Sequence, residues 1–363
     1  MVEGMRWVGL DVHSRSSTAA VLDAATGEVR THRLEGWPHE VLGFLETIEG
    51  PFRAVYEAGP SGYGLARRGR ALGMSIDVCA PGHLVRSSRR ERVKTDKRDA
   101  IRLARCLAAG ELVLVSILSE EHEQLRDLVR CRDDIRCDLM RARHRLAKFL
   151  MRRECYYEGK FKRWSAPHLR WLAEVSFPDH ASQLTLTDYL HAHDVLLARR
   201  ATIDQELTQL AEDSPWTQTI ARLRCLRGVD TLTALGLCSE IGGFERFPHP
   251  DQLSAYLGLV PSEHSSGERR RQGSITRAGS SHARRLLIEG SYHYLKRPRI
   301  GEKLARRQQG QPAAVIDTAW RAQRRLHARW QALKERRGKR GVVVATAVAR
   351  ELAGFCWEIA LVD

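Results

Sequence analysis

Two aspartates, Asp96 and Asp99, stand three residues apart in the run KTDKRDA, which otherwise consists of basic and small residues. Residues three apart on a helix share a face, with Cβ atoms about 5–6 Å apart, so both carboxylates can point at one site. Close carboxylates repel one another unless a cation neutralises them, and Mg²⁺ prefers oxygen ligands. The pair is therefore a candidate metal site. The alternative is two ordinary ion pairs on a solvated helix, Asp96 with Arg92 and Asp99 with Arg102.

Two more carboxylates stand at the ends of predicted strands: Asp11 in GLDVHS and Glu57 in YEAG. In a βββαβαβα fold we expect the first strand to be central, the strand of Glu57 to lie beside it and the last helix to cross the ends of both. The four acids would then converge. Two metal ions about 4 Å apart can activate a nucleophile and stabilise the leaving oxygen of a phosphodiester. The pattern therefore predicts metal-dependent phosphodiester chemistry. The neighbouring cations Lys94 and Arg98 are candidates for binding a nucleic-acid backbone.

The elements that must position these acids are predicted from hydropathy. Short apolar strands alternate with segments of helical period, in the order βββαβαβα, and a turn at ATGE joins the second and third strands. The predicted strands are RWVGLDV, STAAVLDA, VRTHRL, RAVYEAG and MSIDVCAP. This order predicts an α/β domain over residues 1–118.

From about Glu120 the pattern changes to long amphipathic helices, which predict a coiled-coil region over 119–215. One apolar seam has Arg132 as its polar position, and a second runs along a later helix. The seams consist of Leu125, Leu128, Ile135, Leu139, Ala142, Leu146 and Phe149, and of Tyr189, His193, Leu196, Ile203, Leu207 and Leu210. Packed helices inside one domain and an oligomer interface are equally good interpretations. The stretch between the seams, YYEGKFKRWSAPHLRW, is basic and aromatic, which is compatible with RNA binding.

The last part, 216–363, is predicted to be mainly helical. In LRCLRGVDTLTALGLCSEIGGF a Gly-Val-Asp turn joins two helical stretches, similar to a helix-hairpin-helix whose backbone amides hold a phosphate. Residues 267–309 hold twelve lysines and arginines against three acids. A solvated charged face normally mixes the two signs more evenly, so this stretch favours a polyanionic partner.

Composition agrees with that partner. The 363-residue chain has a net charge of +15, a pI near 9.8 and a hydrophobic fraction of 43%. These values favour a globular nucleic-acid-binding protein. No run approaches the roughly 18 apolar residues of a membrane span, and no leader pattern begins the chain, so we expect a cytoplasmic, nucleoid-associated protein. The eight cysteines form no CxxC pair, which argues against zinc and disulfides.

The order of the motifs resembles the IS-one-ten family of insertion-sequence transposases, also called DEDD transposases or bridge-RNA-guided serine recombinases. The motifs are GLDVH, YEAGPSGYG, KTDKRDAIRLA, LRGVDTLTALGLCSEIG, YLGLVPSEHSSGERRRQGSITRAGSSHARRLL and GKRGVVVATAVARELA. The resemblance implies a RuvC-like, ribonuclease-H-fold domain in which Asp11, Glu57, Asp96 and Asp99 bind Mg²⁺ or Mn²⁺. It also implies a coiled coil used in oligomerisation and a C-terminal transposase domain with a serine nucleophile.

The family's landmarks put that serine at Ser266, with Ser265 as the near rival. The family's Ser-Lys reads Thr276-Arg277 here, which keeps a hydroxyl and a cation. On residue types alone, serine before glycine is more often a turn residue than a nucleophile, but nearby arginines can hold a phosphate. His264 is a candidate helper. The predicted nucleic-acid-binding residues here are Arg269, Arg270, Arg271, Arg277, Arg284 and Arg285.

The resulting hypothesis is a DNA recombinase that excises and inserts its own mobile element through a covalent serine-DNA intermediate. The partners implied by the resemblance are donor and target DNA, a structured guide RNA and further copies of the chain, as a dimer or tetramer. Two rivals remain: a RuvC-like nuclease or resolvase that uses metal-activated water, and a non-catalytic nucleic-acid-binding protein. All four acids are present, which disfavours the second rival.

Overall fold

The strand and helix signals of the first hundred residues form a mixed five-stranded sheet in the computed structural model, which describes residues 4–81, 95–263 and 272–362. The chain divides into two compact units, Met1–Ser119 and Glu120–Asp363. The elements of the first unit are β1 Arg6–Val12, β2 Ser16–Asp23, β3 Val29–Glu35, α1 Pro38–Glu46, β4 Phe52–Glu57, α2 Gly64–Ala71, β5 Ile76–Cys79 and α3 Asp96–Ala108. The predicted order βββαβαβα is confirmed.

The sheet has the strand order β3-β2-β1-β4-β5. The strands β1, β2 and β3 form an antiparallel meander, whereas β4 runs parallel to β1 and β5 parallel to β4. The first strand is therefore central, and the strand that ends at Glu57 is its neighbour, as the sequence predicts. Leu10 pairs with Tyr56. The carboxyl ends of β1 and β4 consequently lie side by side at one edge of the sheet.

Helices cover both faces of this sheet. Alternate β1 residues Val8 and Leu10 are fully buried in the core that contains α1 and α2. On the opposite face α3 crosses β1 at Gly9, where an added Cβ would lie 2.1 Å from the carbonyl oxygen of Ala100. Only glycine permits this approach, because any side chain would push the helix off the strand. Gly9 therefore sets the distance between β1 and α3.

Among the residues that the structure describes, the second unit is helical apart from one short hairpin. Its elements are α4 Glu120–Arg152, α5 Ala166–Glu174, α6 His180–Leu210, α7 Thr217–Leu223, α8 Thr231–Ile241, α9 Pro250–Tyr256, β6 Pro261–Glu263, β7 Gln272–Ile275, α10 Ser281–Ser291, α11 Glu302–Gln308, α12 Ala313–Gln331 and α13 Gly341–Ala360. Short 3₁₀ turns lie at Phe244–Arg246 and Tyr292–Leu295, and a π-helical turn at Ala332–Arg336. No described helix is long and apolar enough to cross a membrane.

The two predicted seams lie on α4 and α6, which pack against each other within the chain. Ile135, Leu139 and Leu146 are buried on α4, as is Leu207 on α6. The polar seam position is filled by an ion pair, because Arg132 Nε lies 2.7 Å from Asp204 Oδ1 on α6. Packed helices inside one unit are thus the interpretation that the structure supports for these faces. A coiled coil between copies of the chain remains a prediction.

The main core of the second unit surrounds α8, in which every residue from Ala234 to Ile241 is buried. The predicted helical stretches on either side of the Gly-Val-Asp turn are α7 and α8, and Asp230 begins α8 by accepting a hydrogen bond from the Thr233 amide at 2.8 Å. A phosphate-binding role for this turn stays a prediction. All eight cysteines are free, and four of them are buried.

Candidate metal centre

The first acid, Asp11, lies at the carboxyl end of the central strand. Its side chain faces α3, because it is two residues beyond Gly9 and successive strand residues alternate between faces. The relative solvent exposure of the Asp11 side chain is only 19%. Ala100 lies opposite Gly9, so Asp96, one helical turn earlier, lies opposite Asp11. The close packing at Gly9 therefore brings the first turn of α3 to the end of β1.

The helix α3 begins at these acids because Thr95 caps it, its hydroxyl accepting a hydrogen bond from the Arg98 amide at 3.4 Å. Asp96 and Asp99 occupy the first turn, where the positive end of the helix favours negative charge. Asp96 is exposed and Asp99 half-buried. Arg98, predicted to bind nucleic acid, is exposed in the same turn. Lys94 lies outside the described residues.

The structure brings three potential metal ligands together: Asp11, Asp96 and His13, whose ligand atoms all lie within 4.8 Å of one another. Sequence reasoning missed His13. Its Nε2 lies 3.2 Å from Asp11 Oδ1 and 3.3 Å from Oδ2. The available signal was the Asp-x-His spacing in GLDVHS, since imidazole and carboxylate are both metal ligands. The histidine side chain is 54% exposed.

Burial raises the pKa of Asp11, and the negative charges of Asp96 and Asp99 raise it further, against an opposing effect of His13. Asp99 is therefore close enough for its charge to act on Asp11. Ionisation of a carboxyl group whose pKa is raised in this way costs free energy. A bound divalent cation offsets that cost. The electrostatics at this edge of the sheet thus fit a cation site, and the acid and imidazole ligands fit a divalent metal.

The fourth predicted acid, Glu57, ends β4 beside Asp11. Its strand neighbour Val55 packs with Leu103 of α3, so Glu57 faces the same side of the sheet as Asp11. Glu57 also pairs with Cys79 on β5. Burial, with the nearby negative charge of Glu57, raises the pKa of the Cys79 thiol to about 12. A thiol with a raised pKa is a poor nucleophile at neutral pH, so the carboxylates are the candidate functional groups at this edge of the sheet.

The candidate nucleophile segment joins the two strands of the short hairpin. Ser266, Ser265, His264, Arg269, Arg270 and Arg271 lie outside the described residues, so their roles stay predictions. The strands that flank them are antiparallel, with Pro261 opposite Ile275 and Glu263 opposite Gln272. Ser262 donates a hydrogen bond from its hydroxyl to the Ser274 carbonyl at 3.0 Å. The residues on both sides of the segment are therefore held together.

A tight turn fixes the base of this hairpin. Arg277 is exposed and has φ +59°, and its amide donates to the Gly258 carbonyl at 3.1 Å. Gly258 itself has φ +64°, and an added Cβ would lie 2.3 Å from the Ala278 nitrogen. Arginine adopts a positive φ only where its surroundings over-determine it. The exposed guanidinium of Arg277 thus projects from a rigid base, as a phosphate-binding residue requires.

Comparison with known proteins identifies relatives that cover most of the chain. The family DEDD_Tnp_IS110, described as a transposase, matches residues 8–153, and the family described as Transposase IS116/IS110/IS902 matches residues 220–305. The chain is 40% identical over 362 residues to the protein y4qE of Sinorhizobium fredii, described as a transposase, covering 98% of this chain and 88% of that protein. It is 31% identical over 344 residues to the transposase for insertion sequence element IS1533 of Leptospira borgpetersenii, covering 92% of this chain and 98% of that protein.

The chain belongs to the IS110 family of transposases. The family resemblance predicted from the motifs is therefore confirmed. Membership implies an enzyme that cleaves DNA and transfers strands, and the DEDD domain suggests a RuvC-like nuclease fold that depends on a divalent metal. The first match spans Asp11, Glu57, Asp96 and Asp99. The second spans the candidate Ser266.

Two arginines of the transposase that were predicted to bind nucleic acid have structural partners instead. Arg284 is 9% exposed and donates to the carbonyls of Leu257, at 2.8 Å, and Ala278. Its guanidinium thus holds the base of the hairpin in place. Arg285 pairs with Asp133 of α4 at 2.6 Å and with Glu289 at 2.8 Å. Charge along the sequence suggested phosphate contacts, but these geometries favour supporting roles.

A buried carboxylate ties the helices of the transposase together. Glu240 of α8, whose side chain is 2% exposed, accepts two hydrogen bonds of 2.9 Å from Arg130 of α4, and His282 Nδ1 of α10 lies 3.5 Å away. Burial alone would raise the pKa of Glu240, but Arg130 and His282 outweigh it and lower the pKa to about 2. The network therefore positions α10, which carries Arg284.

We predict that Arg130→Ala lowers the free energy of unfolding by about 3 kcal/mol, because it leaves a buried carboxylate without its main partner. Glu240→Ala should cost less, since the Arg130 it leaves is 48% exposed and can be solvated.

The pKa of Glu240 is depressed, so its stabilisation is present above the ordinary glutamate pKa and is lost as pH falls towards about 2. Urea unfolding at pH 7 measures the effects of the two substitutions on the free energy of unfolding. Comparison of the wild-type protein at pH 7 and pH 3 measures the loss of stabilisation on acidification.

The matched control is Arg141→Ala, which removes an exposed ion pair with Asp138 on the same helix. Its expected cost is below about 1 kcal/mol. An Arg130→Ala protein as stable as the Arg141→Ala protein would show that the Glu240 network does not stabilise the helical unit.

Proposed function

We propose that this transposase excises and inserts its own mobile element through a covalent intermediate between Ser266 and DNA. The single observation that carries the metal-dependent part is the cluster of Asp11, His13 and Asp96 at the carboxyl end of the central strand. Ser266 is proposed from the family motifs and from its position in the connection between β6 and β7. Arg277, exposed at the hairpin base, is a proposed phosphate contact.

The metal-binding residues in this proposal are Asp11, Glu57, Asp96 and Asp99, with His13 beside them. They would hold Mg²⁺ or Mn²⁺, which supplies Lewis-acid stabilisation of charge on a phosphate oxygen. The enclosed carboxylate of Asp11 positions the site, because β1 and α3 fix it from two sides. Asp96, in the first turn of α3, is the exposed acid of the set.

The covalent step conserves the phosphodiester. The Ser266 hydroxyl gives up its proton to a base and attacks the phosphorus, which forms a serine-phosphate ester. The bond from phosphorus to the leaving DNA oxygen breaks, and that oxygen takes a proton. A hydroxyl of the second DNA strand then attacks the ester, which joins the strands and regenerates serine. Arg269, Arg270, Arg271 and Arg277 are proposed to stabilise the charge on the phosphate during both attacks.

The acids and the serine belong to different units of the chain, so the proposal includes how they act together. Either domain docking or a neighbouring protomer must bring them together at one phosphate. The family resemblance favours the second, so we propose a composite site in a homo-oligomer, either a dimer or a tetramer. Exposed apolar residues on the long helices support an interface, namely Met140, Leu184, Val195 and Leu210. Deleting residues 120–215 is expected to prevent both assembly and recombination.

Donor and target DNA are the proposed substrates, and a structured guide RNA is the proposed third partner. In such a system base pairing selects the sequence while the protein contacts backbone and shape. The support is electrostatic: the net charge of +15 and the twelve cations of residues 267–309 favour polyanions.

A second candidate function is a RuvC-like nuclease that hydrolyses DNA without a covalent step. The observation that favours it is that the acid cluster lies within the first unit and is formed without any residue of the second. The two functions differ in one product. Only the recombinase leaves DNA attached to protein after denaturation.

Metal binding is tested by thermal unfolding. We expect saturating Mg²⁺ or Mn²⁺ to stabilise the wild-type protein, by about 2.7 kcal/mol at a hundredfold excess over the dissociation constant. Asp11→Asn should remove that metal-dependent increase. Glu35→Gln is the matched control, because Glu35 is an exposed acid at the same edge of the sheet, on β3. Equal stabilisation of the wild-type and Asp11→Asn proteins would contradict the metal site.

A further inference from the structure

A cavity of about 340 Å³ lies in the second unit, between the carboxyl end of α4 and the helix α5. Its aromatic walls come mainly from the basic and aromatic stretch of the sequence. They are formed by Tyr156, Tyr157, Trp164, His168 and Trp171. The volume is at the small end of the roughly 300–1,000 Å³ range of small-molecule sites. None of these residues takes part in the metal centre or the nucleophile segment.

The wall contains an unpartnered polar group. His168 is only 4% exposed, and its Nδ1 is enclosed without a hydrogen-bond partner among the described residues. Three aromatic rings surround it, with centroids 4.8 Å away for Tyr157, 5.3 Å for Trp164 and 5.4 Å for Trp171. Buried polar atoms are nearly always hydrogen-bonded, so a polar partner at this histidine would be favourable.

Burial and the nearby charge of Arg163 lower the pKa of His168. The imidazole is therefore neutral at physiological pH, and its ring nitrogens comprise one donor and one acceptor. A neutral histidine matches the hydrogen-bonding edge of a planar heterocycle better than it matches an anion.

The backbone at Trp164 is strained in a way that holds the indole in place. Its φ is +66°, a region that bulky residues rarely adopt. The ring stacks on His193 at 5.0 Å with an interplanar angle of 23°, and the Arg143 guanidinium lies 4.8 Å from its centroid. Strain of this kind persists only where surrounding contacts over-determine it, and it clusters at ligand sites. The wall is therefore preorganised.

The charges around the cavity select the class of occupant. Residues 143–171 hold nine lysines and arginines against two acids, and Lys148 and Arg163 line the cavity itself with exposed side chains. A cationic ligand would be repelled, so an aromatic cage for an ammonium group is disfavoured. A purely apolar ligand would leave His168 unsatisfied. The remaining chemistry is a planar heterocycle attached to a phosphate.

We propose that this cavity binds one unpaired nucleobase of a single-stranded nucleic acid, stacked on the aromatic wall and hydrogen-bonded to His168. Lys148 and Arg163 hold the adjoining phosphate. The exposed rings of Tyr156 and Phe161, at 58% and 64%, offer further stacking surface beside the opening. This inference rests on the proposed nucleic-acid partner, but it does not depend on the metal centre or on Ser266.

The test measures binding of short oligonucleotides to the full-length protein in EDTA, so that no DNA chemistry contributes. The probes are a fluorescent eight-nucleotide single-stranded RNA, the DNA of the same sequence, the same DNA backbone without bases, and the blunt duplex. His168→Phe keeps an aromatic ring but removes both ring nitrogens. Tyr156→Ala removes an exposed ring, and Lys334→Ala, in the π-helical turn, is the control for a lost positive charge.

We expect Tyr156→Ala to weaken binding of the single strands about tenfold, because it removes a stacking ring. His168→Phe should weaken it by about the same factor, because it removes the hydrogen-bonding nitrogens. Binding of the duplex and of the base-free backbone should not change. If the substitutions weaken binding of the RNA probe more than binding of the DNA probe, RNA supplies the base. The reverse result identifies DNA. The proposal is overturned if Tyr156→Ala, whose exposed side chain is not needed for folding, and His168→Phe both bind the single strands like wild type.

General electrostatics would give a different result. In that case Lys148→Ala and Lys334→Ala weaken binding of all four probes equally and the aromatic variants have no effect, which also overturns the pocket. A protein that binds a base here yet forms no serine adduct would contradict only the proposed recombination chemistry. The two hypotheses therefore fail separately.

Discussion

Asp11→Asn should reduce DNA cleavage by at least about 100-fold while leaving the protein folded. The substitution keeps the shape of the side chain and removes the negative charge that, in the proposed site, holds a cation between β1 and α3. Loss of one preorganised electrostatic contact to a reacting group typically costs about 10²–10³ in rate. Asp11 is also the most enclosed acid of the Asp11, His13 and Asp96 cluster, so water cannot readily replace it. Cleavage of labelled donor DNA in Mg²⁺ measures the effect.

His13→Ala should have a smaller effect, about tenfold, because this imidazole is more than half exposed and acts beside Asp11. Glu35→Gln provides the control for loss of one acid at the same sheet edge. Full cleavage by the Asp11→Asn protein in Mg²⁺ would contradict the metal site. It would favour the alternative interpretation, in which Asp96 and Asp99 form ordinary surface ion pairs.

The second large effect is expected at the proposed nucleophile. Ser266→Ala should abolish strand exchange between donor and target DNA, because no other hydroxyl takes over a covalent step in a preorganised site. Ser265→Ala should retain it. Both substitutions remove one hydroxyl from neighbouring positions, so the pair separates a chemical role from a general effect on the hairpin. The assay measures strand-exchange products in the presence of the RNA that is transcribed from the flank of the mobile element.

The reverse pattern, loss with Ser265→Ala and activity with Ser266→Ala, would move the nucleophile by one residue. Wild-type levels of cleavage in both variants would favour the hydrolytic nuclease. In that case the Asp11→Asn result should still hold, because metal-dependent hydrolysis uses the same acids.

Much of the first unit was predictable because its signals are local. Alternation identifies the strands, and the meander followed by βαβ connections makes β1 central. The end of β1 then has to lie beside the end of β4, which brings Asp11 next to Glu57. The spacing of Asp96 and Asp99 places both on one turn of α3. The approach of Asp96 to Asp11 thus follows from period and topology, whereas a shared site for all four acids stays a prediction.

Other features of the site depend on contacts that a pattern does not specify. His13 follows the end of β1, and only the path of the chain after Val12 returns its ring to Asp11. Arg284 and Arg285 have the same sequence signature as a phosphate-binding pair. Their guanidinium groups are instead used by nearby carbonyls and by Asp133. Sequence charge shows that a cation is present, but its partner depends on tertiary packing.

The long helices illustrate the same limit. An apolar seam indicates that a helix packs against something, but period alone does not distinguish a partner within the chain from a second copy. Here Arg132 and Asp204 pair across α4 and α6, which identifies the partner inside one chain. The aromatic cavity was likewise visible in sequence only as composition, since the burial of His168 comes from how α4 and α5 pack.

The most direct test of the central claim is to look for the covalent intermediate itself. The wild-type protein is incubated with Mg²⁺, flanking RNA and labelled donor and target DNA, then denatured, digested with protease and analysed by mass spectrometry. The account predicts a nucleotide adduct on the peptide containing Ser266, absent from Ser266→Ala and from Asp11→Asn. Cleaved DNA with no adduct on any peptide, and equal cleavage by Ser266→Ala, would contradict it.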